Sequence, residues 1–228
     1  MKRIKLSERL RAKIAIGICA ASVGSAYYLL AVTLPQRLDG VITILPQRVR
    51  LQEKRMGIKP LFIPKITITK RGGSYGMVGH AYGGYNPQNN LIGIVNSVDF
   101  SNDQLAQITD HELGHAYADR LYELMGKGNF DFNNIPENLH YGAKFIGEGI
   151  AEYFERTGTE QGKKWSQALP KSFSLKNLYD DGYLLVKPII KKYGKKGIEY
   201  LITHLPTEDE LHDLPSYQDR TLKALSKH

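Results

Sequence analysis

Cysteine and tryptophan are nearly absent from this 228-residue chain, one of each, and the single thiol, Cys19, lies inside an apolar run. One cysteine excludes an intrachain disulfide framework and any cysteine-built metal site. An apolar setting also argues against a catalytic thiol, because nothing there favours the thiolate. Acid is scarce at the start of the chain: residues 1–13 hold six basic side chains against Glu8 alone, which accounts for +5 of the formal net charge of +8. The other 215 residues carry only +3. That removes most of the argument for a nucleic-acid surface, which needs a basic patch on the folded body and not a basic leader. With 42% hydrophobic and 24% charged residues the chain is neither disordered nor fibrous, and its length suits one globular domain. It contains no internal repeat and no low-complexity tract.

One long run is both apolar and uncharged, Ile14 to Leu34, 21 residues. At about 1.5 Å per helical residue it spans a hydrocarbon core of about 30 Å, so a transmembrane helix is expected over 14–34. The basic flank before it predicts a cytoplasmic N-terminus and an extracytoplasmic body. Gly24-Ser25-Ala26 offers the alternative of a cleaved signal peptide and a secreted product, but the apolar run continues past it. The expected organisation is a leader and anchor over 1–35 and one domain over 36–228.

Beyond Pro35 the pattern predicts a helical stretch over 38–56 interrupted at Pro46, a strand over 65–70, glycine-rich turn material over 71–84 and a second strand over 91–98. Together these imply a small antiparallel sheet. Ser101 followed by Gln104 reads as a capping box for a helix over 102–125, stopped by Gly126 and Gly128. Residues 127–140 read as a loop, and a helix follows over 143–156. After a polar connection come helices over 178–193, with Pro188 kinking or starting the first, and over 196–203. The tail from Thr207 carries little signal. The fold class expected is α+β, a small antiparallel sheet followed by a helical lobe.

The most specific feature lies inside the capped helix: His111-Glu112-Leu113-Gly114-His115, an H-E-x-x-H. At 3.6 residues per turn the two histidines share a face one turn apart and can bind one metal, with Glu112 beside them as a general base towards metal-activated water. Neutral imidazoles suit Zn²⁺. By chance alone roughly one chain in a hundred of this composition would carry the motif, so a second feature is needed. The segment Glu148-Gly149-Ile150-Ala151-Glu152-Tyr153-Phe154 on the next helix provides it. A site with two histidines wants a third protein ligand and an open position, which Glu148 allows. Glu152, one turn on, can accept from the other ring nitrogen of a ligating histidine.

HELGHAYAD at 111–119 and EGIAEYF at 148–154 resemble the gluzincins, zinc metallopeptidases that include thermolysin and the aminopeptidase group. The resemblance implies His111, His115 and Glu148 as zinc ligands, Glu112 as general base and Glu152 as the partner of the first zinc histidine. It also implies a sheet before the motif, here Ala81 to Tyr85 and Leu91 to Val98, whose edge strand binds an extended peptide by main-chain hydrogen bonds. Residues 71–98 contain no acid, so the glutamate that holds a free amino terminus in the aminopeptidase group has no counterpart. Gly147 stands where many members place Asn. An oxyanion donor is expected as well. Tyr183 is the candidate, ahead of His80, His140 and His204, while His212 and His228 read as solvated tail residues. Asp119 reads as a supporting or helix-surface acid near His115, because the ligand set is complete without it.

The sequence therefore leads to a membrane-anchored zinc metallopeptidase acting on a peptide or protein substrate, with no nucleic-acid partner. The charges within 102–125 exclude a zinc helix that is itself transmembrane. The rivals are a non-catalytic or latent binding domain of the same fold and a zinc hydrolase of a non-peptide amide.

Overall fold

In the computed structural model residues 45–54, 64–69, 83–95, 101–131, 133–167, 173 and 177–227 are described, all within one unit of the chain, Ile42–His228. Residues 45–54 are helical (α1). Three strands follow, β1 (Lys65–Thr69), β2 (Gly83–Asn86) and β3 (Leu91–Val95). Helices α2 (Asn102–Leu124), α3 (His140–Gly158), α4 (Glu160–Gln167), α5 (Leu178–Tyr193), α6 (Lys195–Thr203), α7 (Glu208–Leu211) and α8 (Leu214–Leu225) complete the order, with a 3-10 turn at Glu137–Leu139 leading into α3. The protein is thus mostly helical with one small sheet. Among the described residues no helix is long and apolar enough to cross a membrane. The expected span over 14–34, Cys19, His80 and the glycine-rich stretch over 71–82 lie outside them.

The sheet is mixed, which corrects the antiparallel expectation in part. Its strand order is β1-β3-β2. β2 and β3 form the antiparallel pair, joined through residues 87–90, with Tyr85 opposite Ile92. β1 pairs with β3 in parallel, Ile66 beside Ile92. β2 is left as an edge strand.

Helix α2 begins as its capping box predicts: the Ser101 hydroxyl accepts from the Gln104 amide at 3.3 Å, and the Gln104 side chain accepts from the Ser101 amide at 2.8 Å. Such a cap stabilises by about 1 kcal/mol. Its apolar residues Leu113, Ala116, Ala118 and Leu121 are buried, and so are Asp110, Glu112 and Asp119. Burying three carboxylates on one helix is unfavourable unless each has work or partners. Helix α3 lies between α2 and α5, and its Ile146, Ile150 and Phe154 are fully buried. Two glycine contacts set those crossings. A β-carbon on Gly114 would fall 2.5 Å from Ala151 Cα, and one on Gly149 would fall 2.6 Å from the Gly182 carbonyl oxygen. Backbones this close bring side chains of the three helices to a common point.

Pro188 lies inside α5 and not at its start. The ring deprives the Leu184 carbonyl of its helical donor, and Gln218 of α8 supplies a substitute, its Nε2 donating to Leu184 O at 3.0 Å and to Leu185 O at 2.8 Å. The polar connection after α3 contains α4, and the tail holds two helices that the composition did not reveal. Leu214, Tyr217, Thr221 and Leu225 form the buried stripe of α8, which packs on α5 and α6. At the other end, α1 is tied to the back of α2 and α3. Arg48 donates through Nε to Asp110 Oδ1 at 2.8 Å and through Nη2 to Oδ2, and Gln52 Nε2 donates to Phe154 O at 3.2 Å.

Candidate metal centre

The Gly114–Ala151 crossing turns the motif face of α2 towards α3. His111 Nε2 then lies 3.3 Å from Glu148 Oε2, and His115 Nε2 lies 3.6 Å from the same oxygen. A ligand atom from each of the three residues fits within 4.8 Å of the other two, so the trio can hold a metal ion. The fit can be tested by geometry. A tetrahedral ion with bonds of about 2.1 Å separates its ligand atoms by about 3.4 Å, which the two measured separations bracket. The donor set, two imidazole nitrogens and one carboxylate oxygen, suits a borderline-soft divalent ion.

Glu112 stands beside the trio, 5% exposed, and its Oε2 is buried without a hydrogen-bond partner among the described residues. A carboxylate oxygen in that state is free to take up a proton. Burial pushes Glu112 above the ordinary carboxylate range, opposed by His115 and His111 and reinforced by Glu148 and Glu155. Glu148 behaves in the opposite way. Burial would raise it, but the hydrogen-bonding imidazoles of His111 and His115 outweigh that and hold it far below its usual range. His111 is pushed up: burial works against its charge, and Glu148 and Glu155 prevail.

These residues line a cleft of about 680 Å³ between α2, α3, β2 and the segment after α2. Gly83, Gly84 and Tyr85 of the edge strand form one wall, and Phe130, Ile135, Ala143 and Gly147 line it as well. At Gly147 a β-carbon would meet Phe130 Cε1 at 3.7 Å and His115 Nδ1 at 3.8 Å, ordinary contact distances. Packing therefore does not require glycine there, unlike at Gly114 or Gly149.

Two sequence-derived roles change. Glu152 is not the nearest acid behind His111: its Oε1 is 3.6 Å from Nδ1, whereas Glu155 Oε2 is 3.1 Å away. Glu152 is drawn aside by Arg156, whose Nε donates to Glu152 Oε2 at 2.5 Å and whose Nη2 donates to Asp180 Oδ1 at 2.6 Å. Tyr183 does not line the cleft. It is 2% exposed and packs between α3 and α5, under the Arg156 guanidinium at 4.9 Å and near Lys187 Nζ at 5.1 Å. Tyr179, one turn earlier, lines the cleft, its ring 6.3 Å from that of His111. Glu148, burial, Glu152 and Glu112 raise Tyr179 above the usual phenol range, so it keeps its proton at neutral pH.

Asp119 is buried and not a helix-surface acid. It accepts from the Tyr85 hydroxyl at 2.9 Å and from the Phe130 amide at 2.7 Å, fastening β2 and the segment after α2 to the same helix. His140 is engaged with Ile135 O at 2.8 Å, and the exposed His204 stacks on Tyr200. Neither lines the cleft. Glu155 was within reach of sequence reasoning, since 148, 152 and 155 follow the i, i+4, i+7 spacing of one helical face. The choice of Tyr179 over Tyr183 had no such signal, because it depends on which side of α5 faces α3. No family model, no curated protein and no solved structure matches this chain, so its functional reading rests on its own residues.

Proposed function

We propose that this chain is a zinc-dependent peptidase of gluzincin type. The observation that carries the reading is the convergence of His111, His115 and Glu148 at ligand distances beside Glu112, a buried carboxylate whose Oε2 has no partner among the described residues. Zinc held by the trio would supply Lewis-acid activation of water and of a substrate carbonyl. Glu112 takes the proton of the attacking water on Oε2 and returns it to the leaving amine, a role suited to a carboxyl whose affinity for the proton is raised by burial. Tyr179, still protonated, is the donor best placed to stabilise the oxyanion. An extended peptide adds to the edge of β2 by main-chain hydrogen bonds, which puts its carbonyls beside Glu112. The expected anchor over 14–34 would hold this domain at the outer face of a membrane.

The test is zinc content together with hydrolysis of a mixed peptide library, for the wild type and Glu112→Gln. The reading requires about one zinc per chain in both and a loss of turnover of about 10²–10⁴ in the variant. A wild-type chain that binds zinc and cleaves no peptide moves the protein to the non-catalytic reading or to a non-peptide amide substrate.

A further inference from the structure

Three carboxylates of α3, Glu148, Glu152 and Glu155, share one helical face, and all three approach the ring of His111. Glu148 meets Nε2, the nitrogen that points to the metal position. The other two compete for Nδ1, where a single N–H has one hydrogen bond to give. Distance favours Glu155 at 3.1 Å over Glu152 at 3.6 Å. Charge favours it too, because Glu152 is matched to Arg156, itself buried, and Arg156 continues to Asp180. Asp180 lies in the first turn of α5, next to Tyr179, and also accepts from Asn177 Nδ2 at 2.8 Å.

We propose that the two acids have divided their work: Glu155 is the positioning residue that fixes the tautomer and direction of His111, while Glu152 belongs to an Arg156–Asp180 latch that fastens α5, and with it Tyr179, to α3. This rests on the metal reading above. It departs from the sequence expectation, which gave the histidine to Glu152. The physical reason is Arg156, one turn after Glu152, whose guanidinium binds a carboxylate more tightly than an imidazole N–H does. Glu155 fills the place left behind His111.

The division is tested in the full chain by titrating zinc against a chromophoric chelator and by thermal unfolding of the metal-free protein, for Glu155→Gln, Glu155→Ala, Glu152→Gln and Arg156→Met. Loss of a partner behind a ligating histidine lowers metal affinity about 10- to 100-fold. Both Glu155 variants are expected to show that loss with a metal-free melting temperature lowered less than in the latch variants, since only the contact behind His111 is removed. Glu152→Gln and Arg156→Met are expected to melt earlier and to keep zinc affinity within about three-fold of wild type. The proposal is overturned if Glu152→Gln weakens zinc as much as Glu155→Gln does, or if the Glu155 variants bind zinc like wild type. The Glu155 pair decides the matter even if a latch variant fails to fold. A wild-type chain that takes up no zinc overturns the metal reading itself, a different failure.

Discussion

A β-carbon placed on Gly83 would lie 2.8 Å from Glu112 Oε1 and 2.7 Å from Ile108 Cγ2. The edge strand and the motif helix therefore approach closely at Glu112, the proposed general base, and the absence of a side chain at 83 leaves room for its carboxylate. Gly83→Ala forces one of them to move. A misplacement of about 1 Å costs about 10² in rate. The variant should keep the zinc capacity of the wild type, as the atoms nearest that β-carbon belong to Ile108 and Glu112 and not to the three proposed ligands, and lose turnover by that factor. Steady-state kinetics with parallel metal analysis checks it, and unchanged turnover would show that β2 yields without disturbing Glu112.

Tyr179 and Tyr183 differ by one turn of α5 and by everything else that matters. Tyr179 is 46% exposed in the cleft and Tyr183 is 2% exposed in the core. Loss of an oxyanion donor costs about 10²–10³ in kcat. Tyr179→Phe should show that loss with KM little changed. Tyr183→Phe should leave kcat alone, since its ring contacts with Arg156 and Lys187 survive removal of the hydroxyl.

The Arg48–Asp110 pair joins α1 to the residue immediately before His111, and the Asp110 side chain has no solvent exposure. Arg48 is itself 16% exposed, so its removal should cost less than the about 3–5 kcal/mol of a fully buried pair. Arg48→Met should lower the urea midpoint of the purified full-length chain accordingly. Arg48→Lys should recover only part, because one ammonium cannot reproduce the two-pronged contact. Equal midpoints for all three proteins would show that the Arg48–Asp110 contact of α1 adds nothing to the stability of the helices that carry His111 and Glu148.

Protons and the metal compete for the same atoms. In the metal-free chain Glu148 is held below its ordinary 4.5 and His111 above its ordinary 6.5. A lowered acid stabilises above its unfolded pKa and a raised base stabilises below its own. The pair therefore contributes fully between about 4.5 and 6.5. That contribution fades as pH falls through the Glu148 value or rises through the His111 value. Relative to Glu148→Gln, the metal-free melting temperature should show its largest margin in that window. Zinc needs a neutral imidazole, so loading at pH 7 should release a proton, measurable by calorimetry in buffers of different ionisation enthalpy. Buffer-independent heats would mean that His111 is already neutral.

The spacing of 111, 112 and 115 on a capped helix was enough to place two imidazoles and a carboxylate on one face, because helical geometry is local and Ser101 and Gln104 announce where it begins. Glu148 was legible as a candidate partner by chemistry, since two histidines want a third ligand, and the structure brings it within reach of both. The sequence could not say how the second helix returns to the first. That was decided where Gly114 meets Ala151 and Gly149 meets Gly182, contacts between residues far apart in the chain. The same crossings, with the pull of Arg156 on Glu152, decided which acid stands behind His111 and which tyrosine of α5 looks into the cleft. A helix fixes its own faces by period, but which face meets a neighbour, and which of two nearby carboxylates a cation captures, is settled only when the helices pack.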